Sequence, residues 1–469
     1  MIELTLTQVA DAVHGRLGGG ADPTTSVTGI STDSRDVTPG DLFVAVVGEH
    51  HDAHDFAATA MAAGAAAVLA AREVDRPCVV VADDAVLGLG RLARSVVDRM
   101  PDLTVVAITG SSGKTSTKDL MAAVLGALGP VVAPQGSFNT EVGVPVTALS
   151  IVPSTRVLVS EMGARDIGHI RYLCGITPPR VAVVLNVGSA HVEIFGSREN
   201  IATAKGELVE AVPSAAEGGV AVLNADDPMV ASMATRTSGK VITYGRSDTA
   251  DVRAVDERLD DQGRPSFTLV SELANEPVSL RLHGAHHVSN ALAVAAVALE
   301  LGVAPDEVAR RLSSAIPTSR WRMEVTTTSQ GVTVVNDAYN ANPESMVAAL
   351  DALVAIACGP GERTARRTWA VLGEMRELGE LTEAAHEQVG REAAQRGIDR
   401  LVAVGRGARG VATGAQAVGG GTVVSVVPDI DAAVLLLRDG LSPGDVVLVK
   451  ASRASGLERV AQALTEVTG

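Results

Sequence analysis

The sequence predicts an α/β protein of three domains, and three observations carry that expectation. The chain has 469 residues, more than one hydrophobic core ordinarily organises. Its apolar runs, as at 104–108 and 181–185, are strand-sized, rich in Val, Leu and Ile, and separated by helical stretches. That alternation describes a parallel sheet covered on both faces. Punctuation at Met100-Pro101-Asp102 and a second linker at 317–322 divide the chain into 1–102, 103–316 and 317–469.

Taken in order, residues 1–102 mix short β-like runs (42–47, 78–81) with Ala-rich helical stretches (56–63, 89–99). From residue 103, strand, loop and helix repeat. The apolar runs end in Ile108-Thr109-Gly110, Val159-Ser160-Glu161, Leu185-Asn186-Val187 and Leu223-Asn224-Ala225-Asp226. In such sheets ligands bind beyond the carboxyl ends of the strands, where these polar residues fall. Residues 251–282 alternate around turn signals and predict an antiparallel excursion. Helices follow at 286–301 and 305–315, the second opened by proline at a first-turn position. Beyond the linker, strands at 332–335, 368–372, 401–404 and 446–449 interleave with helices at 343–357, 381–396 and 456–467, a Rossmann-like doubly wound pattern.

Composition narrows the function classes. A chain 46% hydrophobic and 20% charged is globular, not disordered. A formal charge of −16 without a basic patch argues against nucleic acid as partner. No apolar run reaches the length of a membrane span, and the first residues lack the basic start and apolar stretch of a secretory signal. Cys78, Cys174 and Cys358 show no paired spacing, which fits a reducing compartment, the cytoplasm. Of 39 basic residues only five are lysines, so each lysine is biased towards a place a guanidinium cannot fill.

The strongest local signal is the segment 105–115, an apolar strand followed by Thr109-Gly110-Ser111-Ser112-Gly113-Lys114-Thr115-Ser116 and a helical stretch to 128. Glycines let backbone N–H groups turn towards phosphate oxygens, and the next helix points its positive end at them. Lys114 would bridge the terminal phosphates, and Thr115 would offer a hydroxyl to Mg²⁺. The spacing is shorter than the usual phosphate loop, with Ile108 where the first glycine normally stands. The plain alternative is a Gly-Ser turn beside a lysine.

Glu161 and His191 both lie beyond strand ends of the same sheet and together make a Mg²⁺ pair. Alone, Glu161 reads as a helix-start acid and His191 as an ordinary loop histidine. Lys205, in Ala204-Lys205-Gly206-Glu207, reads by itself as a solvated helix lysine.

An ordered set of motifs changes those readings: TGSSGKT (109–115), FNTEVGVP (138–145), EMGA (161–164), NVGSAHVEIFGS (186–197), AKGE (204–207), GAHHVSNALA (284–293), RME (322–324), NDAYNANPESM (336–346), LGEMRELG (372–379) and VLVKASR (447–453). With them the whole chain resembles the Mur ligases of peptidoglycan synthesis. NDAYNANP, LGEMRELG and the N-terminal Asp33-Ser34-Arg35 segment resemble the branch that adds D-alanyl-D-alanine to UDP-N-acetylmuramoyl-tripeptide. The resemblance implies ATP as co-substrate, an acyl phosphate, and an N-terminal domain that binds the uridine nucleotide. It also implies a central ATP-binding domain and a monomer with these two partners. It makes Lys114, Lys205 and His191 catalytic, with Lys205 carboxylated on Nζ. Mg²⁺ would be held by Thr115, Glu161, His191 and that Lys205; a carbamate supplies the oxygen ligands the ion prefers. Asn290 matches an adenine contact, and Arg322 and Asp337 match residues brought to ATP phosphate and ribose. Ser34, Arg35 and His54 match the uridine end, and Asn139 and Thr140 face substrate and γ-phosphate.

The chain departs from the family pattern at His287 (usually asparagine), Ser189 (often proline) and Ala451 (often glycine). Competing readings are a folylpolyglutamate synthase-like ligase, which lacks the N-terminal module, and a phosphate-loop NTPase switch without a peptide acceptor.

Overall fold

The computed structural model describes residues 1–48, 51–189, 192–316, 318–358 and 366–466. Three principal sheets follow one another along the chain, with a two-stranded ribbon, Leu4–Thr5 against Ser26–Val27, beside the first.

The first sheet runs in the order Arg16–Gly18, Cys78–Val80, Ala67–Ala70, Asp41–Val44, Gly29–Ser31, parallel except for its first strand. Alternating residues feed two faces, as the period of two in a strand requires. Phe43, Val68 and Val80 pack on Ala57 and Ala60, while Leu42, Val44 and Leu69 pack under Leu89 and Leu92 of helix Ala85–Asp98. The run expected at 42–47 stops at Val44, because Val47 turns out to solvent (60% exposed) in an isolated bridge with Asp52.

The central sheet has the order Asn275–Ser279, Pro265–Val270, Val252–Leu259, Lys240–Gly245, Val220–Asn224, Val181–Val184, Thr104–Thr109, Val157–Glu161, Val131–Val132. It is parallel from Val131–Val132 to Val252–Leu259; only the last pairings, made by the excursion expected at 251–282, are antiparallel. Val106, Ile108, Val183 and Val222 bury one face under helices Lys114–Leu125 and His286–Glu300. Val105, Ala107, Ala182 and Leu223 bury the other under helices Gly143–Leu149, His169–Ile176 and Arg198–Glu210. The phosphate-loop helix ends at Leu125, short of 128, where Gly126 caps it.

The third sheet, Glu324–Thr327, Thr333–Asn336, Val446–Lys450, Thr368–Leu372, Arg400–Val404, Val423–Val427, is parallel apart from its first strand. Strands Glu324–Thr327 and Val423–Val427 and helices Arg409–Val418 and Ile430–Gly440 add to the expected elements. The result is the α/β, doubly wound architecture that the apolar pattern predicted.

Candidate active site

Strand Thr104–Thr109 delivers the chain into the loop 110–113, and helix Lys114–Leu125 leaves it. Gly113 caps that helix at φ +80°, a left-handed conformation that glycine adopts without strain, and a Cβ there would stand 2.8 Å from Asn290 Oδ1. Asn186, from the neighbouring strand end, fixes the loop: its Oδ1 accepts the N–H groups of Ser111 (3.0 Å) and Ser112 (2.9 Å). Thr109 is buried and donates to the carbonyl of Met162 at 2.9 Å. The first-turn N–H groups of the helix have no intrahelical acceptor, and its dipole favours an anion in front of them.

Lys114 Nζ donates to the Gly110 carbonyl at 2.7 Å, folded back across the loop. Burial lowers its pKa, Glu161 opposes that shift and Arg322 adds to it. Thr115 Oγ1 lies 2.9 Å from Ser137 Oγ and 3.4 Å from Glu161 Oε1. Asn139 Nδ2 donates to the same carboxylate oxygen at 2.8 Å, while Glu161 Oε2 is buried with no hydrogen-bond partner. A buried carboxylate oxygen left without a donor is costly, and a divalent cation would satisfy it. Hydroxyl and carboxylate oxygens side by side are the donors Mg²⁺ takes. Lys205, 4% exposed on helix Arg198–Glu210, has its pKa driven well below the ordinary lysine value, first by burial and then by the charge of Lys114.

The third sheet closes the site. Arg322 Nη2 donates to Thr115 Oγ1 at 3.0 Å and to Ser137 Oγ at 3.3 Å, and its guanidinium lies over the Tyr339 ring. The residues on either side, Trp321 (φ +59°) and Met323 (φ +51°), are both left-handed, a backbone cost that aims Arg322 at the loop. Asp337 accepts the Met323 N–H at 3.1 Å and pairs with Lys450 Nζ at 2.6 Å. Between these parts is a cavity of about 280 Å³ lined by Ser112, Ser116, Asn290, Arg322, Asp337 and Lys450, among others.

Comparison with known proteins finds similar sequences along the whole chain. Family models described as Mur ligase family catalytic domain, Mur ligase middle domain, and Mur ligase glutamate ligase domain match residues 26–94, 108–298 and 321–453. The UDP-N-acetylmuramoyl-tripeptide–D-alanyl-D-alanine ligase of Mycobacterium tuberculosis (strain ATCC 25618 / H37Rv) is 49% identical over 99% of this chain and 98% of its own. The chain belongs to the Mur ligase family. The like-named Escherichia coli (strain K12) enzyme is 37% identical over 99% of both chains. A crystal structure of MurF from Acinetobacter baumannii superimposes with a TM-score of 0.88 at 30% identity, covering 99% of both chains. MurF ligase from Thermotoga maritima in complex with ADP gives 0.80 at 32% identity, covering 94% of this chain and 97% of that one.

In this Mur ligase the expected residues fall into two groups. Thr109 to Ser116, Asn139, Glu161, Arg322, Asp337 and Asn290 are gathered around the loop and its cavity. Thr140 lies three residues before helix Gly143–Leu149, its carbonyl accepting the Val144 N–H. His191 lies outside the described residues, so its place in the ligand set stays an expectation; among the described residues no cluster of three His, Cys, Asp or Glu forms.

Ser34 and Arg35, in the turn after strand Gly29–Ser31, and His54, in the short helix Ala53–Phe56, stand apart, and none lines the cavity. Arg35 is exposed and binds Asp33, holding that carboxyl at about 2. His54 is buried, with Nδ1 2.5 Å from Asp52 Oδ1 and Nε2 accepting the Ala71 N–H at 3.1 Å, so its ring ties the turn to the end of strand Ala67–Ala70; its place at the uridine end stays an expectation. His287, where asparagine was usual, is buried beside Asn290, with Nδ1 3.3 Å from Asn290 Nδ2. Asn186, Asn342 and Lys450 sit inside motifs that drew notice, yet received no role of their own; Ser137 lies one residue before such a motif. Their roles emerge only when strands far apart in sequence become neighbours.

Proposed function

We infer that this Mur ligase joins D-alanyl-D-alanine to the terminal carboxylate of UDP-N-acetylmuramoyl-tripeptide, using ATP and an acyl phosphate, to give the pentapeptide precursor of peptidoglycan. The observation that carries the reading is the convergence on the Thr115 hydroxyl of Glu161, from a central strand, and Arg322, from the third sheet, beside the phosphate loop. The chain-long likeness to relatives bearing that enzyme's name supports the choice of substrates.

Carboxylate and triphosphate repel one another, so the work of the site is neutralisation and alignment. Lys114 and the loop N–H groups hold the terminal phosphates, and Arg322 adds positive charge where the γ-phosphoryl group must sit. Thr115, Glu161, Nζ-carboxylated Lys205 and His191 would hold Mg²⁺, which when bound polarises the phosphoryl oxygens. Attack of the tripeptide carboxylate on the γ-phosphorus releases ADP. The dipeptide amine then adds to the acyl carbon, and phosphate leaves. Asn290 faces the adenine, while Asp337, paired with Lys450, faces the ribose and phosphates. Asn139 and Thr140 face the acyl substrate, and the 1–102 domain holds its uridine end through the Ser34–Arg35 segment.

Water would hydrolyse the acyl phosphate, so the third domain (317–469) closes over the central one (103–316), pivoting near 317–320. No helix among the described residues is long and apolar enough to cross a membrane. We place the enzyme in the cytoplasm as a monomer, serving cell-wall growth, cell shape and division. The test is ATP turnover in purified protein. It should require Mg²⁺, UDP-N-acetylmuramoyl-tripeptide and D-alanyl-D-alanine together; turnover indifferent to both peptide substrates would return the NTPase-switch reading.

A further inference from the structure

Several contacts join the third sheet to the central one, and two of them differ in character. One is buried. Lys118, on the phosphate-loop helix and 2% exposed, donates to the Pro134 carbonyl at 2.9 Å and Ser319 Oγ at 3.3 Å, and pairs with Asp119. Asp119 Oδ2 in turn accepts the Ser319 N–H at 3.0 Å. A buried, fully bonded charge of this kind is strongly disfavoured from opening, because breaking it strands an ion away from water.

The second contact is open to solvent. Glu344 stands in the first turn of helix Pro343–Ala357, where an acid is favoured by the dipole alone. Its carboxylate does more than that. Glu344 Oε1 accepts the Ser189 N–H at 2.8 Å, and Oε2 accepts the Ser189 hydroxyl at 3.2 Å, across 155 residues of sequence. The preceding Gly188 lets the carboxylate approach, since a Cβ there would lie 2.9 Å from Glu344 Cδ. The same two segments meet at the phosphate loop: Gly188 N–H donates to Ser111 Oγ at 2.9 Å, and Asn342, the cap of Glu344's helix, donates to the Ser111 carbonyl at 3.3 Å.

We propose that Ser189 and Glu344 form a releasable latch that holds the third domain down on the nucleotide, while Lys118, Asp119 and Ser319 form the fixed pivot. Glu344 is therefore a positioning residue, acting through the closed state. Proline at position 189 would have neither N–H nor hydroxyl and could not make either bond. The latch rests on the closure inferred above. Its effect falls on nucleotide retention, because Arg322, Asp337 and Lys450 reach the cavity only when the third sheet is seated.

The experiment is ADP binding and dissociation, measured by calorimetry and stopped flow on the full chain with Mg²⁺ and no peptide substrate. Ser189→Pro and Glu344→Ala should each weaken ADP about three- to tenfold, mostly through faster dissociation. The double variant should be no weaker than either single one, because each already removes the whole contact. Glu344→Gln, whose amide can accept the N–H and donate to the hydroxyl, should stay close to the parent. Ser189→Ala, which keeps the N–H and removes only the hydroxyl without constraining the backbone, should fall between. Unchanged ADP binding in both Ser189→Pro and Glu344→Ala, or additive losses in the double variant, overturns the latch. Absence of ADP binding by the parent would instead undermine the ligase reading itself.

Discussion

Lys205 is a cation with nowhere to put its charge. It is 4% exposed, and burial together with Lys114 drives its pKa far below that of a free lysine. Such a site favours the neutral amine, the form that would add carbon dioxide to give the proposed carbamate, and that carbamate would place a negative charge near Lys114. Lys205→Ala should therefore lower ATP-dependent ligation by roughly a hundredfold or more, the scale of losing one preorganised electrostatic group. Short carboxylic acids such as acetate should restore part of it in steady-state assays, and Lys205→Arg should not be rescued. A variant with near-parental rates would show the lysine to be structural.

His287 carries a second prediction at this scale. Burial depresses its pKa well below 6.5, with the neighbouring His286 adding to the effect, and burial holds His286 itself at about 4. The unfolded chain therefore binds more protons than the folded one below about pH 6.5. The stability these rings contribute is complete above that pH and is lost as the pH falls towards about 4. His287→Asn, which removes the titratable ring beside Asn290, should shrink the drop in unfolding free energy between about pH 7.5 and pH 5. Urea titrations at the two pH values measure it; an unaltered drop would mean the ring does not titrate on unfolding.

Among the elements, helices Thr382–Gln395 and Arg409–Val418 pack backbone to backbone through glycine. A Cβ on Gly390 would stand 1.9 Å from the Val411 carbonyl oxygen, and one on Gly414 1.8 Å from that of Glu387. Neither neighbour can yield, since both are main chain. Gly414→Ala should cost about 1–3 kcal/mol in urea unfolding while leaving ADP affinity of the folded protein unchanged, because neither helix reaches the cavity. The same close approach explains why helix Arg409–Val418 is hard to read from the sequence: its buried face, Val411, Ala412, Gly414 and Ala415, is made of small residues, and its partnership with Thr382–Gln395 rests on backbone proximity. Strand Val423–Val427 was obscure for a different reason: it is an edge strand with Val423 and Val426 half exposed, so its apolar residues do not mark a buried face. By contrast, helix Pro343–Ala357 was legible end to end, because proline opens it and Asn342 caps it through a bond from the Ser345 N–H.

For the molecule as a whole, local pattern was enough to predict the α/β class, the parallel central sheet, the antiparallel excursion and the phosphate loop. These follow from burial periodicity and from glycine beside lysine at a strand end, both of which are written in consecutive residues. The motifs that resemble Mur ligases extended that reading to the candidate residues. What only the tertiary structure decided is which of them meet. Arg322 reaches Thr115 across 207 positions because Trp321 and Met323 accept left-handed backbone. Asn186 grips the loop because its strand lies next to that of Thr109. His54 bridges its own turn, through Asp52, to the end of strand Ala67–Ala70, through Ala71, and Ser189 finds Glu344. Contacts of this kind depend on how sheets are placed against one another, and the energy that places them is spread over many buried side chains, so no short stretch of sequence records it.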